Sequence, residues 1–227
     1  MNPMQKLFPW LIALALFSSF EANAQLTTIE YAERYADKAV NTSDYRASWN
    51  DQTTSITIRS LSDFHGTELT NGSGLGSTGF SHLTVNFDVS SQYASNSWGF
   101  RLAPDAGYGG AIYLDGTQIA TDTHDLWWDD KYNNTANFLI KGDLSVSAGP
   151  HVFEGYWAEG CCNGGQAGLF STDGSKWLNL SVANLEDPSL PGISLEPVPE
   201  PEEWLMLLVG FALVGAQIKR KQSTGNV

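Results

Sequence analysis

Two adjacent cysteines are the most reactive side chains in this sequence of 227 residues. They are the only cysteines of the chain, and they stand in the segment Gly160-Cys161-Cys162-Asn163-Gly164-Gly165. Neighbouring Cα atoms are about 3.8 Å apart, so a bond between the two sulfurs would close a small strained ring, which flanking glycines would allow the backbone to form. Three alternatives are open: a vicinal disulfide at a rigid loop tip, thiols that are free, modified or joined to a second chain, and a metal site.

A second cluster combines aromatic rings with carboxylates in His124-Asp125-Leu126-Trp127-Trp128-Asp129-Asp130. Neighbouring side chains of a strand point to opposite faces, so we expect Trp127 or Trp128 to face solvent. An exposed indole offers a flat face for stacking against a sugar ring, and Asp129 or Asp130 is suited to accept hydroxyl hydrogen bonds or to hold calcium. The alternative is that one tryptophan belongs to the core and the aspartates form a solvated turn.

The sequence contains little that indicates catalysis. The four histidines are scattered, and neither Gly-x-Ser-x-Gly nor His-Glu-x-x-His occurs. Glu154 and Glu159 are a candidate pair for the acid and base of a glycosidase. We therefore predict that the protein is not an enzyme and keep a glycoside hydrolase as the less favoured alternative.

The elements that must position these residues are predicted to be short strands. Leu83, Val85, Phe87 and Val89 alternate with polar residues, which is typical of a strand with one buried face. Asp115-Gly116 and Asp173-Gly174 are hairpin signals. The pattern predicts an all-β fold, an antiparallel two-sheet β-sandwich over residues 55–185. Further strands are predicted at 56–58, 98–102, 111–114, 117–120, 136–140, 144–147, 151–158, 166–170 and 177–182, and a short helix at 28–40 within an N-terminal segment, 25–54.

Both ends of the chain carry features of export. Lys6, an apolar stretch at 7–20 and the small residues Ala22 and Ala24 predict a signal helix over 1–24 that signal peptidase removes. Near the other end, Trp204 opens an apolar helix over 204–218 of about 22 Å, shorter than the roughly 30 Å hydrocarbon core. We predict transient membrane anchoring through this helix, with residues 25–203 outside, a Pro-rich spacer at 186–198 and a cytoplasmic tail at 222–227. A plain tail-anchored protein is the alternative.

The C-terminal segment 199–221 resembles the PEP-CTERM sorting signal. Its three elements occur in order: Pro199-Glu200-Pro201, the apolar helix, and the basic cluster Lys219-Arg220-Lys221. The resemblance implies processing by an exosortase in a Gram-negative host that makes exopolysaccharide, and hence a location at the cell surface or in an extracellular, biofilm-type matrix. Cys-Cys-Asn-Gly is also similar to the motif of a small group of exosortase substrates named for Cys-Cys-x-Gly.

Two segments resemble the anthrax protective-antigen-type β-sandwich, a module common in lectins and glycosidases. They are residues 111–119, Ala-Ile-Tyr-Leu-Asp-Gly-Thr-Gln-Ile, and residues 147–157, Ser-Ala-Gly-Pro-His-Val-Phe-Glu-Gly-Tyr-Trp. The resemblance implies carbohydrate binding. Calcium-dependent lectins of this type carry paired aspartates before the first of these strands, where this chain has Pro104-Asp105 and thus one carboxylate. The candidate ligand-binding residues are Trp127, Trp128, Asp129, Asp130, Asp105 and Asn163, and the three aspartates are also the calcium candidates.

The charge of the chain narrows the class of ligand. The formal net charge is −13, and all of it lies within residues 25–198, because the two terminal segments hold four acidic and four basic residues. Such a surface repels phosphate backbones, so nucleic-acid binding is not expected. We therefore predict an exported, exosortase-processed protein whose sandwich binds a polysaccharide or another glycan. The alternative is a structural matrix protein without a specific ligand.

Overall fold

The structure is a computed structural model that describes residues 26–68, 78–132, 134–160 and 164–192. Strands dominate this part of the chain, with two short α-helices, α1 (Tyr45–Asp51) and α2 (Val182–Glu186), and a 3₁₀ turn at Thr135–Asn137. The strands are β1 (Thr28–Tyr35), β2 (Thr57–Leu61), β3 (His65–Glu68), β4 (Gly79–Val89), β5 (Ser95–Ala103), β6 (Gly110–Leu114), β7 (Thr117–Asp122), β8 (Leu139–Val146), β9 (Gly149–Glu159), β10 (Gly165–Ser171) and β11 (Leu178–Asn179).

The strands form two antiparallel sheets that face each other. One sheet has six strands in the order β2-β1-β4-β9-β6-β7, and the other has the order β11-β10-β5-β8 with β3 also paired to β10. This arrangement confirms the predicted all-β, two-sheet sandwich. β4 and β9 pair over their whole lengths, from Gly79 opposite Glu159 to Val89 opposite Gly149, and so form the centre of the larger sheet.

The space between the sheets is filled by side chains that alternate along the strands. Leu83, Val85 and Phe87 of β4 are buried there, as the period-two pattern predicted. Aromatic rings supply much of the volume: Phe100 of β5 stacks on Phe153 of β9 with ring centroids 4.4 Å apart. Burial of such rings is the main favourable term in folding of a sheet sandwich.

The N-terminal segment departs from the prediction, because residues 28–35 form a strand and not part of a helix. β1 pairs with both β2 and β4. Tyr31 faces the space between the sheets, whereas Ala32 packs on the opposite face with Trp49 of α1, so both faces of β1 are covered. A strand covered on both faces loses the polar alternation that marks a strand in sequence. The sheet therefore begins at Thr28, before the predicted boundary at residue 55.

Two further predicted strands have different limits in the structure. Residues 135–137 form a 3₁₀ turn, and β8 begins only at Leu139. The strand predicted at 177–182 is limited to two residues, because the Ser181 hydroxyl accepts a hydrogen bond from the Asn184 N–H and starts α2. Local capping thus ends the strand earlier than its apolar pattern indicates.

The predicted hairpin at Asp115-Gly116 is confirmed and joins β6 to β7. Both residues have positive φ, 49° and 78°, the conformation of a type I′ turn. The Asp115 carboxylate also reaches β9, where it accepts a hydrogen bond from the Val152 N–H at 2.9 Å and contacts His151 Nδ1 at 2.7 Å. The turn is therefore tied to the centre of the larger sheet.

Several predictions concern residues outside the described ranges. These are the signal peptide at 1–24, the Cys161-Cys162 pair with Asn163, the spacer from residue 193 onward, and the sorting signal with its helix at 204–218. Among the residues that the structure describes, no helix has the length and apolar character needed to span a membrane.

Candidate functional site

Three loops lie together at one end of the sandwich, which we call the loop end. They are the β5–β6 loop (104–109), the β7–β8 loop (123–138) and the β9–β10 loop (160–164), of which Gly160 and Gly164 are described. The antiparallel registers bring the loops together, because β5 and β9 finish where β6, β8 and β10 begin. Most of the sequence-predicted ligand-binding residues belong to these loops.

Two buried carboxylates join the β5–β6 loop to the end of β9 and to the β9–β10 loop. Asp105 Oδ2 accepts a hydrogen bond from the Gly164 N–H at 2.5 Å, and Glu159 Oε2 accepts one from the Gly107 N–H at 2.6 Å. We call these four residues the carboxylate clasp. A Cβ atom on Gly164 would lie 2.8 Å from Asp105 Cγ, so only glycine permits this approach. The clasp therefore fixes both described ends of the segment that contains the two cysteines to one scaffold.

The environment of Asp105 favours its neutral form. Burial raises the pKa of Asp105 to about 6, and the negative charges of Glu159 and Asp125 act in the same direction. The hydrogen bond from Gly164 opposes this shift because it stabilises the carboxylate. Asp105 thus lies at the base of the loop end with its carboxyl group turned to a neighbouring backbone N–H.

The β7–β8 loop is held against the same scaffold by a short backbone bridge. The Ala106 N–H donates to Leu126 O at 2.9 Å, and the Leu126 N–H donates back to Ala106 O at 3.1 Å. Two exposed aromatic residues follow this bridge directly: Trp127, with 59 % of its surface exposed, and Tyr108, with 43 %. Tyr108 was not predicted, because a single tyrosine in a loop carries no sequence signal. Its ring lies against Gly160, at the start of the cysteine segment.

The two adjacent tryptophans have different environments, although their segment is a loop and not a strand. Trp128 is only 4 % exposed and packs with Phe138 against Ala103 and Ala167, on the outer face of the smaller sheet. It therefore belongs to the scaffold and does not offer a free ring face. Trp127 is the tryptophan that faces solvent, which agrees with the expectation that one of the pair would do so.

The remaining candidate carboxylates are placed apart from the clasp contacts. Asp129 accepts a hydrogen bond from Asn134 Nδ2 at 3.1 Å, and Asp130 is an exposed turn residue with φ of 60°. Within the described part of the chain, no three His, Cys, Asp or Glu side chains are grouped so that they could hold a metal ion. Asp105, Asp129 and Asp130 therefore do not make up a calcium ligand set among themselves.

Glu154 and Glu159 cannot act as a glycosidase pair, because they lie on opposite faces of β9. Glu159 is on the face toward the smaller sheet, with Phe153 and Trp157, and Glu154 is on the outer face with Tyr156. The five-residue separation requires this, since an odd separation in a strand changes the face. Two carboxylates on opposite faces cannot flank one glycosidic bond.

Glu154 is held instead in an aromatic and charged cluster on the outer face. Its carboxylate contacts Arg46 Nη2 at 2.6 Å and accepts a hydrogen bond from the Tyr156 hydroxyl at 2.7 Å. The His82 ring stacks on Tyr156 at 4.1 Å, and the Arg46 guanidinium lies 3.9 Å from the centroid of Tyr113. The hydrogen bond from His82, together with the contacts from Tyr156 and Arg46, lowers the pKa of Glu154 to about 2. The cluster fastens α1 to the larger sheet.

No protein-family model matches the chain. No curated protein matches it either. Among solved structures, the chain is similar to the PA14 domain of the antifreeze protein MpAFP, at 13 % identity over 69 % of this chain and 87 % of that one, with a TM-score of 0.48. It is also similar to the PA14 sugar-binding domain from an RTX adhesin, at 12 % identity over 70 % of this chain and 97 % of that one, with a TM-score of 0.48. A third similar structure is the epithelial adhesin 9 A domain from Candida glabrata in complex with Galb1-4GlcNAc. The identity is 6 % over 68 % of this chain and 89 % of that one, with a TM-score of 0.40.

Proposed function

We propose that the loop end is a carbohydrate-binding surface and that this protein is a non-enzymatic glycan-binding component of the cell surface or extracellular matrix. The observation that carries the proposal is the exposure of the Trp127 ring beside a rigid backbone bridge. Its neighbours Leu126 and Trp128 are buried, at 0 % and 4 % exposed, so the loop conformation is fixed while one large ring stays in solvent. An exposed ring on a rigid support is suited to stacking on the apolar face of a sugar.

The surroundings of Trp127 support a neutral, hydroxyl-rich ligand. Tyr108 supplies a second exposed ring with a phenolic hydroxyl, and the exposed Asp125 supplies an acceptor for sugar hydroxyl groups. The central part of the chain carries the whole net charge of −13, which disfavours polyanionic ligands. Rings with a few polar groups around them are the usual composition of a small-molecule site.

We also propose export and processing of the chain, from the sequence signals at its two ends. Signal peptidase would remove residues 1–24, the helix at 204–218 would anchor the chain for a short time, and an exosortase would act at the C-terminal signal. In this proposal Cys161 and Cys162 reach an oxidising compartment, where a vicinal disulfide would add a rigid apolar element to the β9–β10 loop.

A glycan array with the full-length protein in mild detergent tests the carbohydrate proposal. We expect binding that Trp127→Ala reduces at least tenfold and Tyr108→Ala reduces to a smaller extent. The control is Ile58→Ala, which removes another exposed apolar side chain at the edge strand β2. Trp128→Ala is not suited to this test, because loss of a buried tryptophan costs about 3–5 kcal/mol of stability.

The outcomes separate the alternatives. Absence of binding to every glycan by folded protein, or equal binding by the parent and Trp127→Ala, would contradict the proposal and favour a structural matrix protein without a specific ligand. Release of reducing sugar from a bound polysaccharide would show an enzyme, whose carboxylates must then be a pair other than Glu154 and Glu159.

A further inference from the structure

A groove that is open to solvent lies at the end of the sandwich opposite the loop end. It has a volume of about 380 Å³ and is lined by residues that carry polar groups: Gln92, Tyr93, Ser95, Ser97, Thr172 and Asp173. The β4–β5 turn and the residues after β10 form it. Since β5 and β10 each have their other end at the loop end, the groove and Trp127 are separated by the length of the strands. The volume is within the range of about 300–1,000 Å³ that is typical of small-molecule sites.

The walls of this groove are fixed by internal hydrogen bonds. The Ser95 hydroxyl donates to Thr172 O at 2.7 Å, which joins the two sides. Asp173 Oδ1 accepts hydrogen bonds from the N–H groups of Ser175 and Lys176, both at 2.8 Å. On the other side, the Trp98 indole N–H donates to Tyr93 O at 2.8 Å. A groove with fixed walls loses little conformational entropy when a ligand binds.

Several polar groups of the groove are left for a ligand. Among the described residues, the Tyr93 hydroxyl, the Gln92 amide and the Ser97 hydroxyl have no side-chain hydrogen bond, and the same is true of Asp173 Oδ2. Hydrogen bonds from the backbone of Lys176 lower the pKa of Asp173, so its carboxylate stays ionised and acts as an acceptor. The groove thus offers donors and acceptors around one aromatic ring.

We propose that this groove is a second glycan-binding site, specific for neutral sugars, and that the protein therefore links two polysaccharide chains. The inference rests on the proposed function of the loop end and deepens it. None of the described residues that line the groove is basic, and Asp173 repels anions, which selects neutral hydroxyl groups as partners. Sugar hydroxyls donate to Asp173 Oδ2, and the Gln92 amide and Tyr93 hydroxyl pair with the next hydroxyls along the sugar.

The described residues that follow α2 lie close to the groove. The Lys176 ammonium donates to Pro188 O at 2.9 Å, and Leu185, Glu186 and Pro188 line a small cavity of about 40 Å³ that Tyr93 also lines. The described chain after α2 therefore runs beside the groove, and at Gly192 it still lies against Lys176. The two candidate sites lie at opposite ends of the strands, the arrangement required to connect two polysaccharide chains.

The test uses full-length protein in mild detergent with beads that carry one of three neutral polysaccharides: galactomannan, dextran or mixed-linkage β-glucan. Two measurements are made, binding of protein to the beads and agglutination of the beads. We compare the parent with Trp127→Ala, with Tyr93→Ala and with the double variant of Gln92→Ala and Ser97→Ala, which removes polar groups at one exposed and one half-buried position outside the core. Gln118→Ala is the control, an exposed glutamine on β7.

The expected result is that each single-site change keeps part of the binding but raises the protein concentration needed for agglutination at least tenfold, because two-site attachment is lost. Combining Trp127→Ala with Tyr93→Ala should abolish binding. The groove proposal is overturned if both groove variants equal the parent while Trp127→Ala abolishes binding, and the loop-end proposal then stands. Agglutination that persists in the single-site variants would also overturn the two-site linkage, because it would come from oligomers. Absence of parent binding to all three beads would overturn both proposals.

Discussion

The Oδ2 atom of Asp105 lies 2.5 Å from the backbone nitrogen of Gly164, although 59 residues separate the two along the chain. Glu159 makes the second contact, to Gly107, so the β5–β6 loop supplies one carboxylate and one N–H, while the end of β9 supplies the other carboxylate and the β9–β10 loop the other N–H. This carboxylate clasp explains how two irregular loops keep a common geometry at the end of the sandwich. It also places a titratable group beneath the candidate glycan-binding surface.

The clasp predicts a stability that falls as the pH rises. The pKa of Asp105 is about 6 in the folded protein and 3.8 as its ordinary value, so the folded state holds the proton more tightly than the unfolded state. Its contribution to stability is present below about pH 4 and is lost as the pH rises through about 6. Asp105→Asn keeps an acceptor for Gly164 without the charge, and should stabilise the protein at pH 8 relative to the parent but hardly at pH 4. Urea unfolding between pH 4 and 8 measures this.

The control for this series is Asp51→Asn, which removes an exposed carboxylate whose partner is Lys38. It should keep the pH dependence of the parent over the same range. A parent and an Asp105→Asn variant with parallel curves of unfolding free energy against pH would contradict the role assigned to Asp105.

The lowered pKa of Glu154 predicts that this residue contributes a stability that rises with pH, over a lower pH range. Its pKa is lowered from 4.5 to about 2 by the hydrogen bond from His82 and the contacts from Tyr156 and Arg46. Its contribution to stability is therefore present above about pH 5 and is lost as the pH falls toward 2. Glu154→Gln should lower the unfolding free energy by about 1–3 kcal/mol at pH 7 and by less at pH 2. Urea unfolding at the two pH values measures the effect, and Glu30→Gln, at an exposed position of β1, should leave the unfolding free energy unchanged at both.

The positive φ of Gly116 predicts that a side chain at this position lowers the stability through backbone conformation alone. A Cβ atom there meets no atom within 4 Å, but φ is 78°. Gly116→Ala should therefore destabilise the protein by about 1–2 kcal/mol, the cost of the left-handed conformation for an L-residue. Gly142→Ala is the matched control, because that glycine also has open space and does not have positive φ. Thermal unfolding that shows equal effects of the two changes would contradict this explanation.

The export proposal predicts the mass of the secreted protein. Mass spectrometry of the form released by the host should show loss of residues 1–24 and of the C-terminal basic cluster Lys219-Arg220-Lys221. If Cys161 and Cys162 form a vicinal disulfide, alkylation should add no mass before reduction and two alkyl groups after it. A secreted protein that retains the basic cluster would contradict exosortase processing, and alkylation without reductant would contradict the disulfide.

The strands of the sandwich were largely predictable, because their signal is local. In β4 and β5, apolar residues at every second position face the space between the sheets, and this period is set by the pleat of a single strand. The hairpin at Asp115-Gly116 was predictable for a similar reason, since only a few residue types adopt positive φ at two successive positions. The opposite faces of Glu154 and Glu159 could also have been inferred from their odd separation.

The segments that the sequence predicted wrongly or left open are those where tertiary contacts decide the outcome. In β1, α1 covers one face and the smaller sheet covers the other, so the apolar residues no longer alternate. At Trp127-Trp128, the sequence contains two equal side chains, and only the packing of Phe138 and Ala103 decides which ring is buried. Neither outcome can be inferred from the neighbouring residues in the sequence.

The sequence by itself determined the all-β class, most strand positions, the acidic charge and the signals that predict export, because each depends on composition or on spacing within one segment. The tertiary structure alone decided that Asp105 faces Gly164, that Tyr108 lies against Gly160, and that Tyr93 and Asp173 share a groove. These contacts join residues from different strands, and their distances depend on how two twisted sheets pack. In this protein, local sequence patterns determine the strands, whereas the candidate sites form because the strand registers bring the ends of different strands together.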